Sequence, residues 1–167
     1  VEDIYLLTPM QAGLVFHALS QGEQGVYCEQ ATFVLEGVSD PRVLGAAWQQ
    51  VVNRTPVLRS SVVWDGVDEP VQVVHRRVEV PPVYHDWQGW SAADREREVQ
   101  RLLADDRAEG FDLTTAPLLR VRLARLSDTG VQVLWTFHHV LLDGWSVFHV
   151  LTDLFAGHAG HVLPTRR

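Results

Sequence analysis

The 167 residues include a single cysteine, Cys28, and not one lysine; all 14 basic residues are arginine. One cysteine excludes an internal disulfide and any multi-cysteine zinc site. No apolar run approaches the ~18 residues of a membrane span, and no opening segment reads as a signal peptide, so no membrane partner is expected. Positive charge is also in deficit: 14 basic against 21 acidic residues give a net charge of −7. That balance argues against nucleic acid as a general partner, because phosphate contacts dominate such binding. A glycine-rich phosphate loop, a dinucleotide fingerprint and an HExxH zinc signature are all missing. Neither Ser20 nor Ser146 has the context of a nucleophile elbow. The lack of lysine fits a GC-rich coding sequence and carries no mechanism.

What is present is globular: 46% hydrophobic and 21% charged residues, with six Trp and six Phe to build a core. The length suits one domain with its own core. The chain opens at Val1 and runs out through Leu163-Pro164 to Arg166-Arg167. Those ends are expected to be cut points in something longer.

Helical and strand patterns alternate along the chain, with no internal repeat. Thr8-Pro9-Met10-Gln11 reads as a helix start, with Thr8 as cap, Pro9 in the first turn and Gln11 closing a capping box. Met10, Leu14, Val15, Ala18 and Leu19 then form an apolar stripe. Ala31 to Leu35 reads as a strand. Ser39-Asp40-Pro41 opens a second helix that buries Leu44, Ala47, Trp48, Val51 and Val52 and stops at Asn53 and Pro56. Ser60 to Trp64 and Val71 to His75 read as strands joined through Asp65-Gly66, and Pro81-Pro82 interrupts the pattern. Ser91 to Arg107 is a charged amphipathic helix, closed by Gly110, with Val99, Leu102 and Leu103 facing inward. Leu118 to Leu126 alternates Leu119, Val121 and Leu123 with Arg120 and Arg122, which predicts a half-exposed strand. Asp128-Thr129-Gly130 joins it as a hairpin to Val131 to His138, and a last helix runs from Trp145 to Phe155. This mixture predicts an α+β layered sandwich, not a doubly wound parallel sheet.

Most polar clusters have a plain reading. His158 and His161 are spaced for a metal but lack a third ligand in sequence, so a solvated tail and no metal site are expected. Cys28 reads as a packed or partly exposed thiol. Arg76-Arg77 and the Arg95, Arg97, Arg101 group read as solvated faces.

The informative segment is His138-His139-Val140-Leu141-Leu142-Asp143-Gly144. Two adjacent histidines ending an apolar strand are costly, because each imidazole needs a hydrogen-bond partner. Side chains alternate along a strand, so the two point to opposite sides and are poor joint ligands for one metal. One can face a cavity while the other is held in the body of the domain. Asp143 stands where it can cap the last helix or pair with an arginine. Gly144 permits close backbone approach. Spacing alone leaves both a catalytic histidine and a structural pair open.

This HHxxxDG segment resembles that of the condensation domains of nonribosomal peptide synthetases, within the chloramphenicol-acetyltransferase-like superfamily. Three further stretches agree in order. Leu7-Thr8-Pro9-Met10-Gln11 through Phe16-His17 is similar to the first core motif. Asn53-Arg54-Thr55-Pro56-Val57-Leu58-Arg59-Ser60-Ser61 is similar to the second, usually RHExLRTxF. Phe111-Asp112-Leu113-Thr114-Thr115-Ala116-Pro117-Leu118-Leu119-Arg120 is similar to FDLxxxPLLR. The resemblance implies one lobe of a two-lobe fold, with residues 1–160 forming the N-terminal lobe and 161–167 starting an inter-lobe linker. It implies that His139 faces the substrates as the catalytic residue. His138 supports it. Asp143 pairs with Arg59, or with Arg54, since the second motif departs from its usual form. Gly144 keeps space beside the reacting groups. The activity implied is an acyltransferase-type condensation, forming an amide between a donor thioester and an acceptor amine.

The same resemblance implies partners. Substrates arrive on the 4'-phosphopantetheine arms of donor and acceptor carrier domains, with no cofactor bound directly. The C-terminal lobe and an adenylation domain are the expected neighbours, in a cytoplasmic setting. Two alternatives stay open: an acyltransferase using coenzyme A or a carrier with a soluble alcohol or amine, and a non-catalytic lobe that only docks a carrier. The isolated 167 residues are expected to be inactive.

Overall fold

Two largely antiparallel sheets and four capped helices organise the chain in the computed structural model, which describes residues 1–22 and 25–159. The first helix, α1 (Pro9–Gln21), starts as its sequence predicts: Thr8 Oγ accepts from Gln11 N–H and the Gln11 side chain returns to Thr8 N–H. It follows a short strand, β1 (Asp3–Leu6). Next come β2 (Cys28–Glu36), α2 (Pro41–Arg54), a 3-10 turn at Pro56–Arg59, then β3 (Ser60–Val63) and β4 (Val71–Val74). Strand β5 (Val83–Asp86) precedes α3 (Ala92–Glu109), and β6 (Leu119–Arg125), β7 (Gly130–His138) and α4 (Gly144–His158) complete the order.

The strands form a three-stranded sheet ordered β1-β4-β3 and a four-stranded sheet ordered β2-β7-β6-β5. Among the described strands, only β5 runs parallel to its neighbour. Strand β7 is buried on both faces, which explains its nearly unbroken apolar run. One face carries Val131, Val133, Trp135 and Phe137 into a core shared with Leu44, Trp48 and Val51 of α2 and with Val150 and Leu154 of α4. Trp48 and Trp135 meet there with ring centroids 5.1 Å apart. The other face packs Leu134 and Ala124 against Val99 and Leu102 of α3. These layers bear out the α+β sandwich, with helices on both sides of the larger sheet.

The structure differs from the sequence reading in four places. Strands β1 and β5 carry no strand pattern of their own: each is four residues long and mostly exposed, and β5 follows Pro81-Pro82 at once. The arginine face of β6 is not open to solvent but lies under the end of α3. There Arg122 makes a bidentate pair with buried Asp106, at 2.7 and 2.9 Å. Arg120 donates to carbonyls at the same helix end and lies 4.4 Å over the Phe111 ring. A cation is favourable there because helix carbonyls end unpaired. Helix α2 runs through Asn53 to Arg54 before its cap at Thr55. Lastly, the α1 stripe is shallow: Val15 is buried, but Met10 and Leu19 are exposed. No described helix is long and apolar enough to cross a membrane.

Candidate active site

Strand β7 delivers the histidine pair to the edge of the core. His138 is its last residue and lies opposite Cys28 of β2 in the ladder. The His138 side chain is buried, and its Nδ1 accepts the Val140 N–H at 3.1 Å. Its own backbone N–H donates to Leu118 O at 3.0 Å, and its carbonyl accepts from Leu141 N–H at 3.1 Å. A neutral imidazole that accepts at Nδ1 carries its proton on Nε2. Burial, with a smaller contribution from His139, pushes the His138 pKa down to about 4, so the ring is neutral at cellular pH. His138 is thus a fixed acceptor that folds the following turn back over itself.

His139 is the first residue past the strand and is half-buried. Its backbone N–H donates to Tyr27 O at 2.8 Å, which extends the β2–β7 pairing by one residue. Tyr27 has φ +63°, a left-handed conformation that a non-glycine residue adopts at a cost of about 1–3 kcal/mol. Its ring meets His138 edge-on, with centroids 6.4 Å apart. The chain turn that enters β2 therefore holds both histidines, one through a carbonyl and one through a ring. Nothing in the local sequence around Tyr27 signals this role.

Gln11 adds a third tie. Its Nε2 donates to Val140 O at 3.1 Å, so the residue that closes the α1 capping box also reaches the histidine turn. Thus the backbone of His139 and Val140 is anchored to β2, to His138 and to α1.

Asp143 is the N-cap of α4, where its Oδ1 accepts Ser146 N–H at 2.8 Å. Gly144 is the first residue of that helix, and a Cβ placed there meets no atom within 4 Å. The fold itself does not demand glycine at 144.

Among the described residues, Arg59 does not form the expected ion pair with Asp143. Arg59 is buried and pairs with Glu2 at 2.6 Å, while also donating to His75 O. The cause lies in β1: its pairing with β4 carries Glu2 N–H to within 2.7 Å of Val74 O, beside the 3-10 turn that holds Arg59. The guanidinium in turn holds the Glu2 carboxyl below its ordinary value. Arg54, the other candidate, faces Asp153 of α4 at 3.6 Å.

The FDLxxxPLLR-like stretch is structural in this fold. Asp112 accepts from the Thr114 hydroxyl at 2.6 Å and from Thr114 N–H at 2.9 Å, and these bonds hold its carboxyl below the usual range. Leu113 O accepts Val62 N–H at 2.7 Å, which docks the stretch on β3 before it enters β6. Cys28 is buried, and burial raises its thiol pKa. Arg97 and Arg101 pair with acids on their own helix, as solvated faces do, whereas Arg95 is part-buried and donates to Leu126 O at 2.9 Å. No group of three or more metal-capable side chains occurs among the described residues. His161 and the expected linker at 161–167 lie outside them.

Comparison with known proteins gives a consistent result. A sequence profile described as "Condensation domain" matches residues 1–165. The chain is 42% identical over 158 residues to one of the linear gramicidin synthase proteins of Brevibacillus parabrevis, a match covering 95% of this chain and 2% of that one. It is 36% identical over 167 residues to bacitracin synthase 3 of Bacillus licheniformis, covering 100% and 3%. Among solved structures, the starter condensation domain of rhizomide synthetase RzmA superposes with a TM-score of 0.82 at 21% identity, covering 99% of this chain and 42% of that one. The chain therefore spans only a few per cent of these curated relatives and about two fifths of that solved chain.

Proposed function

We propose, from the premise that this chain belongs to the condensation-domain family, that it contributes the histidine-bearing lobe for amide-bond formation in nonribosomal peptide synthesis. The donor is an acyl or peptidyl thioester and the acceptor an aminoacyl thioester. Each is held on the phosphopantetheine arm of a carrier domain, in the cytoplasm. A second lobe of the same domain closes over the His139 side, and an adenylation domain is its neighbour.

The chemistry asks little of the protein beyond placement. A thioester is already activated, and a free α-amine with a reference pKa of about 7.7–8.0 is partly neutral at cellular pH. The amine nitrogen attacks the thioester carbon, the C–S bond breaks, and the thiolate leaves on the donor arm. The nitrogen sheds one proton and the sulfur gains one, so a single imidazole can carry it across. His139 takes this role. His138 and Asp143 position the turn around it, and Gly144 leaves its surroundings open. Arg59 supports the site from one step away, by locking Glu2 and the His75 carbonyl to the 3-10 turn. Holding two tethered reactants in an attack geometry supplies the rest of the acceleration.

The observation that carries this reading is the split between the two histidines. One is buried, neutral and bonded to the turn; the other is half-buried on a backbone tied at Tyr27. The test mixes loaded donor and acceptor carriers with the synthetase that contains this chain and weighs the acceptor carrier after a single turnover. The peptidyl group is expected on the acceptor arm, with no transfer from free acyl-coenzyme A to a soluble amine. Equal turnover of the free thioester would contradict the carrier-bound reading.

A further inference from the structure

We propose that Gln11 is a positioning residue for His139, acting through the Val140 carbonyl. The proposal rests on the reading of His139 as the reacting group. The Gln11 carboxamide spends every polar atom it has. Oε1 accepts Thr8 N–H at 3.0 Å, and Nε2 donates to Gln72 Oε1 and to Val140 O, each at 3.1 Å. The relay continues inward. Gln72 Nε2 donates to Ser60 Oγ at 2.8 Å, and that hydroxyl donates to Pro56 O at 3.2 Å. One chain of hydrogen bonds thus runs from the histidine turn through β4 and β3 to the 3-10 turn of the second motif. It supplies the tie between second motif and histidine turn that the resemblance assigns to an Arg59–Asp143 pair. It also gives a purpose to Ser60, which stands where the second motif departs from its usual form.

As the bonds stand, position 11 supplies one acceptor and two donors, which is what a carboxamide offers. Glutamate makes this testable, since a capping box accepts Glu or Gln equally well. In Gln11→Glu the carboxylate still receives Thr8 N–H. Gln72 can turn its amide to donate to it only by giving up its bond to Ser60 Oγ, so the relay to the 3-10 turn is interrupted as well. The Val140 carbonyl cannot, and is left facing an anion. Helix start and positioning role are therefore separated by one substitution.

The experiment compares wild type, Gln11→Glu and Gln11→Met in the synthetase containing this chain. It reads the single-turnover rate, the KM for loaded carriers, the melting temperature, and hydrogen exchange over residues 139–142. Gln11→Glu, which keeps the cap but leaves the Val140 carbonyl unpaired, is expected to lose less melting temperature than Gln11→Met, to keep its KM, to lose about ten- to a hundredfold in transfer rate, and to exchange faster over that turn. Gln11→Met, which adds no charge, should lose rate to a similar degree and melt earlier for want of the cap. A Gln11→Glu rate within twofold of wild type, beside a His139→Ala control that has lost transfer, overturns the positioning role. Unchanged exchange over 139–142 overturns the tie itself, whatever the rate. A His139→Ala control that still transfers at the wild-type rate overturns the reading of His139 instead, and the positioning role falls with it.

Discussion

The two adjacent histidines where β7 ends differ in burial, His138 buried and His139 half-buried, as the alternation of side chains along a strand leads the sequence reading to expect. What the pair bonds to is not. The partners of His138 and His139 are a backbone amide two residues on and a carbonyl from Tyr27, far earlier in the chain. Sequence spacing shows only the first kind of neighbour. The burial of His138 has a consequence for stability against pH. An unfolded histidine titrates near pH ~6.5, and His138 in the fold at about 4. Between those values the unfolded chain binds the extra proton, so stability is lost as pH falls from about 6.5 toward 4. In His138→Asn the amide oxygen can replace Nδ1 as acceptor while removing the titration. The melting temperature of wild type is expected to drop more steeply than that of His138→Asn between pH 7 and 5. A constant gap between the two would show that His138 charges as easily in the fold as out of it.

Elements with strong local signals agree between sequence and fold: the Thr8–Gln11 capping box, the Ser91-capped α3, and the β6–β7 hairpin. Strands β1 and β5 do not, because a four-residue strand takes its stability from its partner rather than from its own pattern. That gap explains why the partner of Arg59 is hidden in the sequence, since Glu2 reaches it only once β1 pairs with β4. Of the two roles that the sequence allows Asp143, the structure shows the cap of α4. Losing a cap costs about 1 kcal/mol, and serine caps about as well as aspartate. Asp143→Ala is therefore expected to destabilise the fold by at least about that amount in urea unfolding, and Asp143→Ser to restore the part that belongs to the cap. Equal destabilisation by both variants would mean that the carboxylate's charge, not its capping oxygen, holds the turn.

At the scale of the molecule, the chain has its own core and exposes several large apolar side chains. Ile4, Tyr5 and Leu6 on β1, Phe16 on α1 and Phe148 on α4 are all exposed. The chain also matches only 42% of a solved condensation domain. Both facts agree with a lobe that works inside a larger assembly, and transfer by the isolated 167 residues is not expected. The half-buried His139 is the group proposed to meet the reacting amine. Single-turnover transfer between loaded carriers, with binding of both carriers measured alongside, tests it in His139→Ala of the synthetase containing this chain. Both carriers are expected to bind as in wild type while the peptidyl group stays on the donor arm. Transfer at the wild-type rate in that variant would contradict it.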